Sequence, residues 1–487
     1  MSDEQDDIIP VAIIGAGFSG IAMAIQLQKF GLGPFVILEK AQEIGGTWRD
    51  NRYPGVGCDV PSALYSYSFY QKPDWSYQYA KGGEIQNYLL DCVDSFGVRP
   101  FIRFGVDVTG LRFDEDAKVW HLNVKDGPNL KAAVVISAVG PFGKPSTPSF
   151  KGQDDFAGKT LHSAHWDQGF DPRGKKIAVI GTGASGIQLV PELAKTAQEI
   201  VVFQRTPPWV LPKPDFEISE RWHKRFRRFP WILKLRRYAL YWFMETAVLV
   251  IVKNIKFLRM RAQGIALMHL KKDSPKETWD QLIPKYQMGC KRILVSNDWY
   301  PTLAKDHVRL VDTGIRQFES KGIRDGEDNL HEVDAVVYAT GYQVPTTGVA
   351  VDAEVGGGKR LNDAWSKGTS AFKGISVSGF PNFFILVGPN TGPGHTSVLV
   401  FMERQVRHVI DALRAMKRRS ARSIEVKKSV HDRYQSSLDR KMEGTVWLSG
   451  CSSWYLSPEG KNTSLYPGFS FEYCLKSKFR ARHYKMD

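Results

Sequence analysis

Cysteine is scarce in this chain and never locally paired: Cys58, Cys92, Cys290, Cys451 and Cys474 form no C-x-x-C and no metal-ligand spacing. That absence excludes a dithiol redox centre and a thiolate metal site, and an odd count argues against a disulfide framework. The expected compartment is therefore the reducing cytosol. Long apolar runs are missing as well. The run 239–252 is interrupted by Glu245 and falls short of the roughly 20 residues that cross a bilayer. Residues 1–7 are acidic and lack an apolar h-region, so no signal peptide is expected. There is no low-complexity tract and no nucleic-acid recognition signature, which removes nucleic acid from the expected partners.

The composition that remains is that of a globular protein, 43% hydrophobic and 24% charged over 487 residues, with a formal charge of +15. Much of that charge collects in 221–272, where lysine and arginine alternate with aromatic and aliphatic side chains, and the tail 476–485 adds more. The segment 213–280 is read as an amphipathic helical insert with its charges in solvent. Contact with a membrane surface is the second reading.

Two glycine fingerprints organise the chain, Gly15-Ala-Gly17-Phe-Ser-Gly20 and Gly181-Thr-Gly183-Ala-Ser185-Gly186. Each follows an apolar strand (11–14 and 176–180) and opens a helix (18–30 and 185–197), with a second strand after it (34–38 and 200–203). Such a strand–turn–helix lets backbone approach a pyrophosphate, whose charge meets the helix N-terminus. Glu39 stands 24 residues after Gly15, where a carboxylate can accept from ribose hydroxyls. Arg205 stands 24 residues after Gly181, followed by Thr206, and suits a 2′-phosphate that glutamate would repel. The first site thus suits an unphosphorylated ribose and the second suits NADP. Two more apolar runs end at Gly140 and Gly341, each with proline close behind, which sets domain crossings near 145–150 and 341–346. A strand at 383–387 runs into Gly388-Pro-Asn390-Thr-Gly-Pro-Gly394, and a helix is expected from Ser397. The predicted fold is α/β, with two Rossmann-like dinucleotide domains, the second inserted into a discontinuous first.

Between the fingerprints lies Phe156-x-Gly158-x-x-x-His162-x-x-x-Trp166-Asp167, and after the first lies Gly45-Gly46-Thr47-Trp48 running through Tyr53-Pro54-Gly55 to Asp59. On residue type alone these are packed turns. Together they resemble the type I Baeyer–Villiger monooxygenases, and the order of landmarks from about Val11 to about Tyr466 is similar throughout. The related flavin-containing monooxygenases typically carry Tyr-Lys where this chain has Trp166-Asp167.

The resemblance implies FAD in the first site, with Gly46, Thr47, Trp48, Asp59 and Asn390 among its surroundings, and NADPH in the second. It implies an FAD domain over 1–147 and 343–487 and an NADP domain over 148–342. Hydride reduces the flavin, oxygen adds at its C4a position, and the peroxide so formed attacks a ketone to give an ester or lactone. In Gly289-Cys290-Lys291-Arg292, Arg292 matches the catalytic arginine, Asp59 the carboxylate that orients it, and Lys291 a residue near the NADP phosphate. His162 and Trp166 are read as couplers at the domain junction, and His165 as a packing residue. Ser453-Trp454 keeps a pair that the family places in the substrate pocket, although the residues after it depart from the family pattern, so Trp454 is a pocket candidate. Oxygenation of nitrogen or sulfur is the nearest rival. A disulfide reductase would share both sites, but the missing C-x-x-C speaks against it. An inactive fold that binds membranes or anions through the insert is the rival from another class.

Overall fold

The computed structural model describes residues 8–344, 351–366, 368–451, 453–457 and 459–487. The acidic stretch 1–7 and the crossing proline Pro345 lie outside them. The chain begins β1 (Ile9–Ile14), α1 (Phe18–Lys29), β2 (Phe35–Glu39), α2 (Thr47–Asp50) and α3 (Gly82–Ser95). Strands β3 (Ile102–Phe104), β4 (Val108–Asp114), β5 (Val119–Val124) and β6 (Leu130–Ser137) follow. The second unit comprises β7 (Lys159–His162), β8 (Lys176–Ile180), α4 (Gly186–Leu193) and β9 (Glu199–Phe203). Next come β10 (Val210–Leu211), α5 (Glu220–Arg228), α6 (Pro230–Glu245), α7 (Ala247–Ile251), α8 (Lys256–Asp273) and α9 (Trp279–Leu282). Then β11 (Leu294–Val295), α10 (Trp299–Leu303), β12 (Val308–Val311), the three strands β13 (Ile315–Glu319), β14 (Gly322–Asp325) and β15 (Leu330–Glu332), and β16 (Ala335–Tyr338) complete that half. Finally β17 (Asp352–Val355), β18 (Lys359–Arg360), α11 (Leu361–Ala364), β19 (Phe383–Ile385) and α12 (Val398–Arg419) return to the first half.

The larger sheet runs β18-β17-β4-β5-β6-β1-β2-β3, with β19 also paired to β6. Its strands come from both sides of the smaller, wholly parallel sheet β12-β9-β8-β16-β7. In each sheet the strand before a fingerprint is central and paired on both edges: Ile13 faces Ile37 and Ile136, and Val179 faces Val202 and Val337. Both central strands present a run of buried apolar residues, 11–14 and 177–180, because both of their faces are covered; on the larger sheet one face of β1 packs on helices and the other on residues of β4 and β5. The helix expected over 185–197 stops at Leu193, and the chain then closes in turns, with Thr196 and Ala197 donating back to Leu193. The helix expected from Ser397 forms, with the Ser397 hydroxyl accepting from the amide of Leu399 as its N-cap.

Two sequence readings need correction. Cys290 and Cys451 are joined in a disulfide, although five unpaired-looking cysteines argued for none. Spacing rules see only local pairs, and these two stand 161 residues apart until the fold brings them together. The cysteine argument for a reducing compartment therefore falls. Closing a 161-residue loop should stabilise the chain by about 5 kcal/mol in the chain-entropy model. Cys451→Ser should accordingly lower the urea midpoint clearly; an unchanged midpoint would mean that the loop is held as firmly without the bond.

The insert is the second correction. The run 239–252 breaks at Thr246 between α6 and α7, and its charges do not all face solvent. Arg237 is turned inward, where Nη1 donates to the carbonyls of Ala63, Leu64 and Ser66 at 2.6, 3.2 and 3.0 Å. A guanidinium offers five donors, so three backbone carbonyls offset its loss of water, that of Ala63 being shared with the Ser66 hydroxyl.

Candidate active site

The two fingerprints are built alike. Gly15 and Gly181 have φ of +106° and +108°, and a Cβ on either would meet a backbone carbonyl, that of Ala138 at 2.8 Å or of Ala339 at 2.6 Å. A Cβ on Gly20 would lie 1.9 Å from the Gly15 carbonyl, and one on Gly186 2.3 Å from that of Gly181. These four glycines serve the tight turn itself. Gly17 and Gly183 differ: the first has only the Gly46 Cα within 4 Å of its would-be Cβ, at 3.9 Å, and the second has nothing. Helices α1 and α4 carry no side-chain cap and no acid in the first turn. Their free N–H groups and the space over the middle glycine form a cradle for a pyrophosphate.

Glu39 is buried at the end of β2. Its carboxylate accepts from the amides of Ala16 (2.7 Å) and Ala41 (3.0 Å) and from Arg49 Nη1 (2.9 Å). A carboxylate has about four lone-pair sites, so acceptor capacity remains for a ribose. Arg49 was not singled out from sequence; ten positions after Glu39, it fixes that carboxyl and also donates to the Glu43 carbonyl. Thr47 opens α2 after Gly46, which has φ +53°, and the Trp48 indole donates to the Tyr65 hydroxyl at 3.1 Å.

At the second site Arg205 is exposed at the strand end, with Thr206 after it, its carbonyl 3.5 Å from the Thr182 hydroxyl. Lys291, 86 positions on in the chain, lies close enough to feel its charge: burial first, then Arg205, lowers the Lys291 pKa. Lys291 Nζ also lies 5.1 Å from the Tyr286 ring centroid, and neither cation has an ion pair among the described residues, so the two together suit an anion. Ser185, at the start of α4, lies near the Tyr53 hydroxyl of the loop after the first unit. That hydroxyl also donates to Gln188 Oε1 at 2.8 Å, while the Gln188 amide exchanges bonds with the Gly57 backbone at 3.3 and 3.0 Å.

Arg292 and Asp59 are brought together from 233 residues apart. Arg292 Nε donates to Asp59 Oδ2 at 2.8 Å, and Nη2 to both carboxylate oxygens at 2.7 and 2.6 Å. Nη1 has no partner among the described residues, and the arginine side chain is 38% exposed, so one arm of the fork is left unpaired. Asp59 above all, outweighing desolvation, raises the Arg292 pKa, so the cation persists at any working pH. Tyr79 and Tyr455 nearby are pushed up to about 12, chiefly by burial, and stay neutral. The Cys58 thiol is raised by burial too and is no nucleophile. Tyr455 was missed in the sequence: it is buried within the field of Arg292, and Trp454, exposed, stands edge-on to it at 4.4 Å. The Cys290–Cys451 bond holds this loop to the Arg292 segment.

Other candidates take structural positions. The Asn390 side-chain amide donates to the carbonyls of Asn462 and Leu465 (2.8 and 3.1 Å) and its backbone N–H to that of Thr463 (2.8 Å), so the residue serves to hold this turn. Phe156 is buried, and a Cβ on Gly158 would strike its ring at 2.4 Å. His162 at the end of β7 accepts from the Ala164 amide and approaches the Thr340 hydroxyl at 3.5 Å, its pKa lowered by burial. Trp166 packs edge-on against Phe170, and Asp167 caps Gly169 and pairs with Lys159 at the surface.

A family model described as pyridine nucleotide-disulphide oxidoreductase matches residues 12–230. A Baeyer–Villiger monooxygenase of Pseudomonas aeruginosa is 42% identical, over 98% of this chain and 91% of the relative. One of Streptomyces coelicolor is 37% identical over 97% and 91%. Among solved structures, OTEMO in complex with FAD and NADP superposes with a TM-score of 0.88 at 26% identity, covering 98% of this chain and 99% of the other.

Proposed function

We infer the reaction from one premise: the chain belongs to the Baeyer–Villiger monooxygenases. It is an NADPH-dependent flavoprotein monooxygenase that inserts oxygen beside a ketone carbonyl to give an ester or lactone. Bound flavin supplies electron transfer and oxygen activation, and this chain supplies position and charge. FAD is assigned to the α1 cradle, with Glu39 toward its ribose and the Gly46–Trp48 turn over it. NADPH is assigned to α4, with Arg205 and Lys291 on its 2′-phosphate. The FAD domain is taken as 1–147 with 343–487, and the NADP domain as 148–342. His162 and Trp166 would couple the two halves where β7 meets the Gly341 turn.

The observation that carries the reading is the Arg292–Asp59 fork. It holds a permanent cation with one free arm beside a half-open space, as a reaction that builds negative charge on a ketone oxygen requires. Product analysis with NADPH, oxygen and a panel of ketones and sulfides is the test. Ester or lactone formed in proportion to NADPH supports the reading; sulfoxide without ester would favour the heteroatom rival.

Arg205→Ala should raise KM for NADPH roughly ten- to hundredfold, since a charge-assisted phosphate contact contributes about 1.5–3 kcal/mol. KM for NADH should hardly move. Equal loss with both would mean that the residue does not read the phosphate.

A further inference from the structure

Helix α6 is inverted for an element that borders water. Arg236 and Arg237 and the carboxylate of Glu245 face inward, whereas Trp231, Leu235, Tyr238, Trp242 and Phe243 are each more than half exposed. Their spacing of four, three and four residues, with Phe243 beside Trp242, draws one stripe along the helix. Helix α8 carries a similar exposed set, Phe257, Met260, Ile265 and Met268.

The inward side is firmly held. Arg236 donates to Gln78 Oε1. Glu245 accepts from the amide and hydroxyl of Ser470 and from His395 Nε2 (3.2 Å), so the end of α6 is tied into the core. The aromatic stripe is therefore no loosely docked face waiting to turn inward. Continuing from it, Val248 and Ile251 of α7 pack beside Cys290 and Trp447, against the segment that carries Arg292.

Charge selects the occupant. Glu245 is the sole acid in 221–272, and it is buried. Lys234 on the stripe, Lys253 and Lys256 at the bend, Arg261 on α8, and Lys224, Arg225 and Arg228 on α5 are exposed around the apolar residues. A second copy of this surface would meet it with like charge, whereas an anionic lipid headgroup layer answers both the cations and the aromatics. Tryptophan and tyrosine favour that depth. Among the described residues no single helix is long and apolar enough to cross a membrane. The pair Pro230–Ile251 and Lys256–Asp273 reaches that length only jointly, across a 108° bend.

We propose that α6, with α8 across the bend from it, seats this enzyme on an anionic membrane surface, its aromatic stripe at headgroup depth. The test is flotation of the FAD-loaded protein with phosphatidylcholine vesicles, with and without phosphatidylglycerol, at low and high salt. The parent should float with phosphatidylglycerol vesicles at low salt and be released by salt. Trp242→Ser with Phe243→Ser should bind roughly tenfold more weakly while keeping its flavin absorbance and melting temperature. Absence of flotation at low salt, or an unchanged double variant, overturns the proposal. So does light scattering that shows a parent dimer split by the double variant, which would make the stripe an interface between copies.

Discussion

Arg292→Ala is expected to retain FAD and to be reduced by NADPH at near the parent rate, yet to form almost no ester. NADPH consumption should appear instead as hydrogen peroxide. The guanidinium lies in neither fingerprint cradle, so FAD retention is expected to survive its loss. In the proposed role its free Nη1 would meet charge that exists only while oxygen is being transferred, and such contacts act on turnover. Loss of one such donor costs about 10²- to 10³-fold, and here a full charge goes with it. Arg292→Lys should rescue little, because an ammonium cannot both fork onto Asp59 and extend a second arm. Asp59→Ala should be milder, since the cation stays and only its aim is lost. Stopped-flow absorbance separates reduction from reoxidation, and chromatography follows the ester. An Arg292→Ala enzyme that makes ester at near the parent rate would sink the catalytic assignment.

The glycines should separate turn geometry from cofactor contact. Gly20→Ala is expected to yield no stable holoenzyme, because its Cβ would lie 1.9 Å from a backbone oxygen that cannot move without opening the turn. Gly17→Ala should fold, since φ of −87° suits any residue and 3.9 Å to the Gly46 Cα leaves room for a methyl. That methyl nonetheless occupies the approach to the pyrophosphate, so FAD affinity should fall by about tenfold or more. Gly183→Ala should purify yellow, with normal FAD, and be bleached by NADPH only at much higher concentration. Circular dichroism, flavin content and reduction rates distinguish the three. If Gly183→Ala purifies without FAD while Gly17→Ala keeps its FAD but needs far more NADPH for bleaching, the two cradles have been assigned the wrong way round.

The fingerprints were legible in the sequence because their logic is local: strand, glycine turn and helix lie within 9–29 and 176–193, and Glu39 and Arg205 follow at equal distance. Asp59 and Arg292 were reached only through resemblance, since no spacing rule links positions 233 residues apart. Tyr455, Gln188 and the Cys290–Cys451 bond left no signal at all, each being defined by a partner remote in the chain. Helix α6 misled for another reason. Amphipathic patterning shows that two faces differ but not which one faces inward. The usual assumption sends charge to water. Arg237 escapes it because a turn at 63–66 presents carbonyls that need a donor.

Gln188 has a further consequence. Its side chain bonds the Tyr53 hydroxyl and both backbone groups of Gly57, so α4 cannot separate from that loop without breaking three bonds together. Each contributes about 0.5–1.5 kcal/mol net, and all three are between neutral groups. The latch thus adds a modest cost to any separation and carries no charge for salt to screen. A catalytic cycle that opens it would keep the same tempo across ionic strengths, even where the membrane-facing side of the molecule does not.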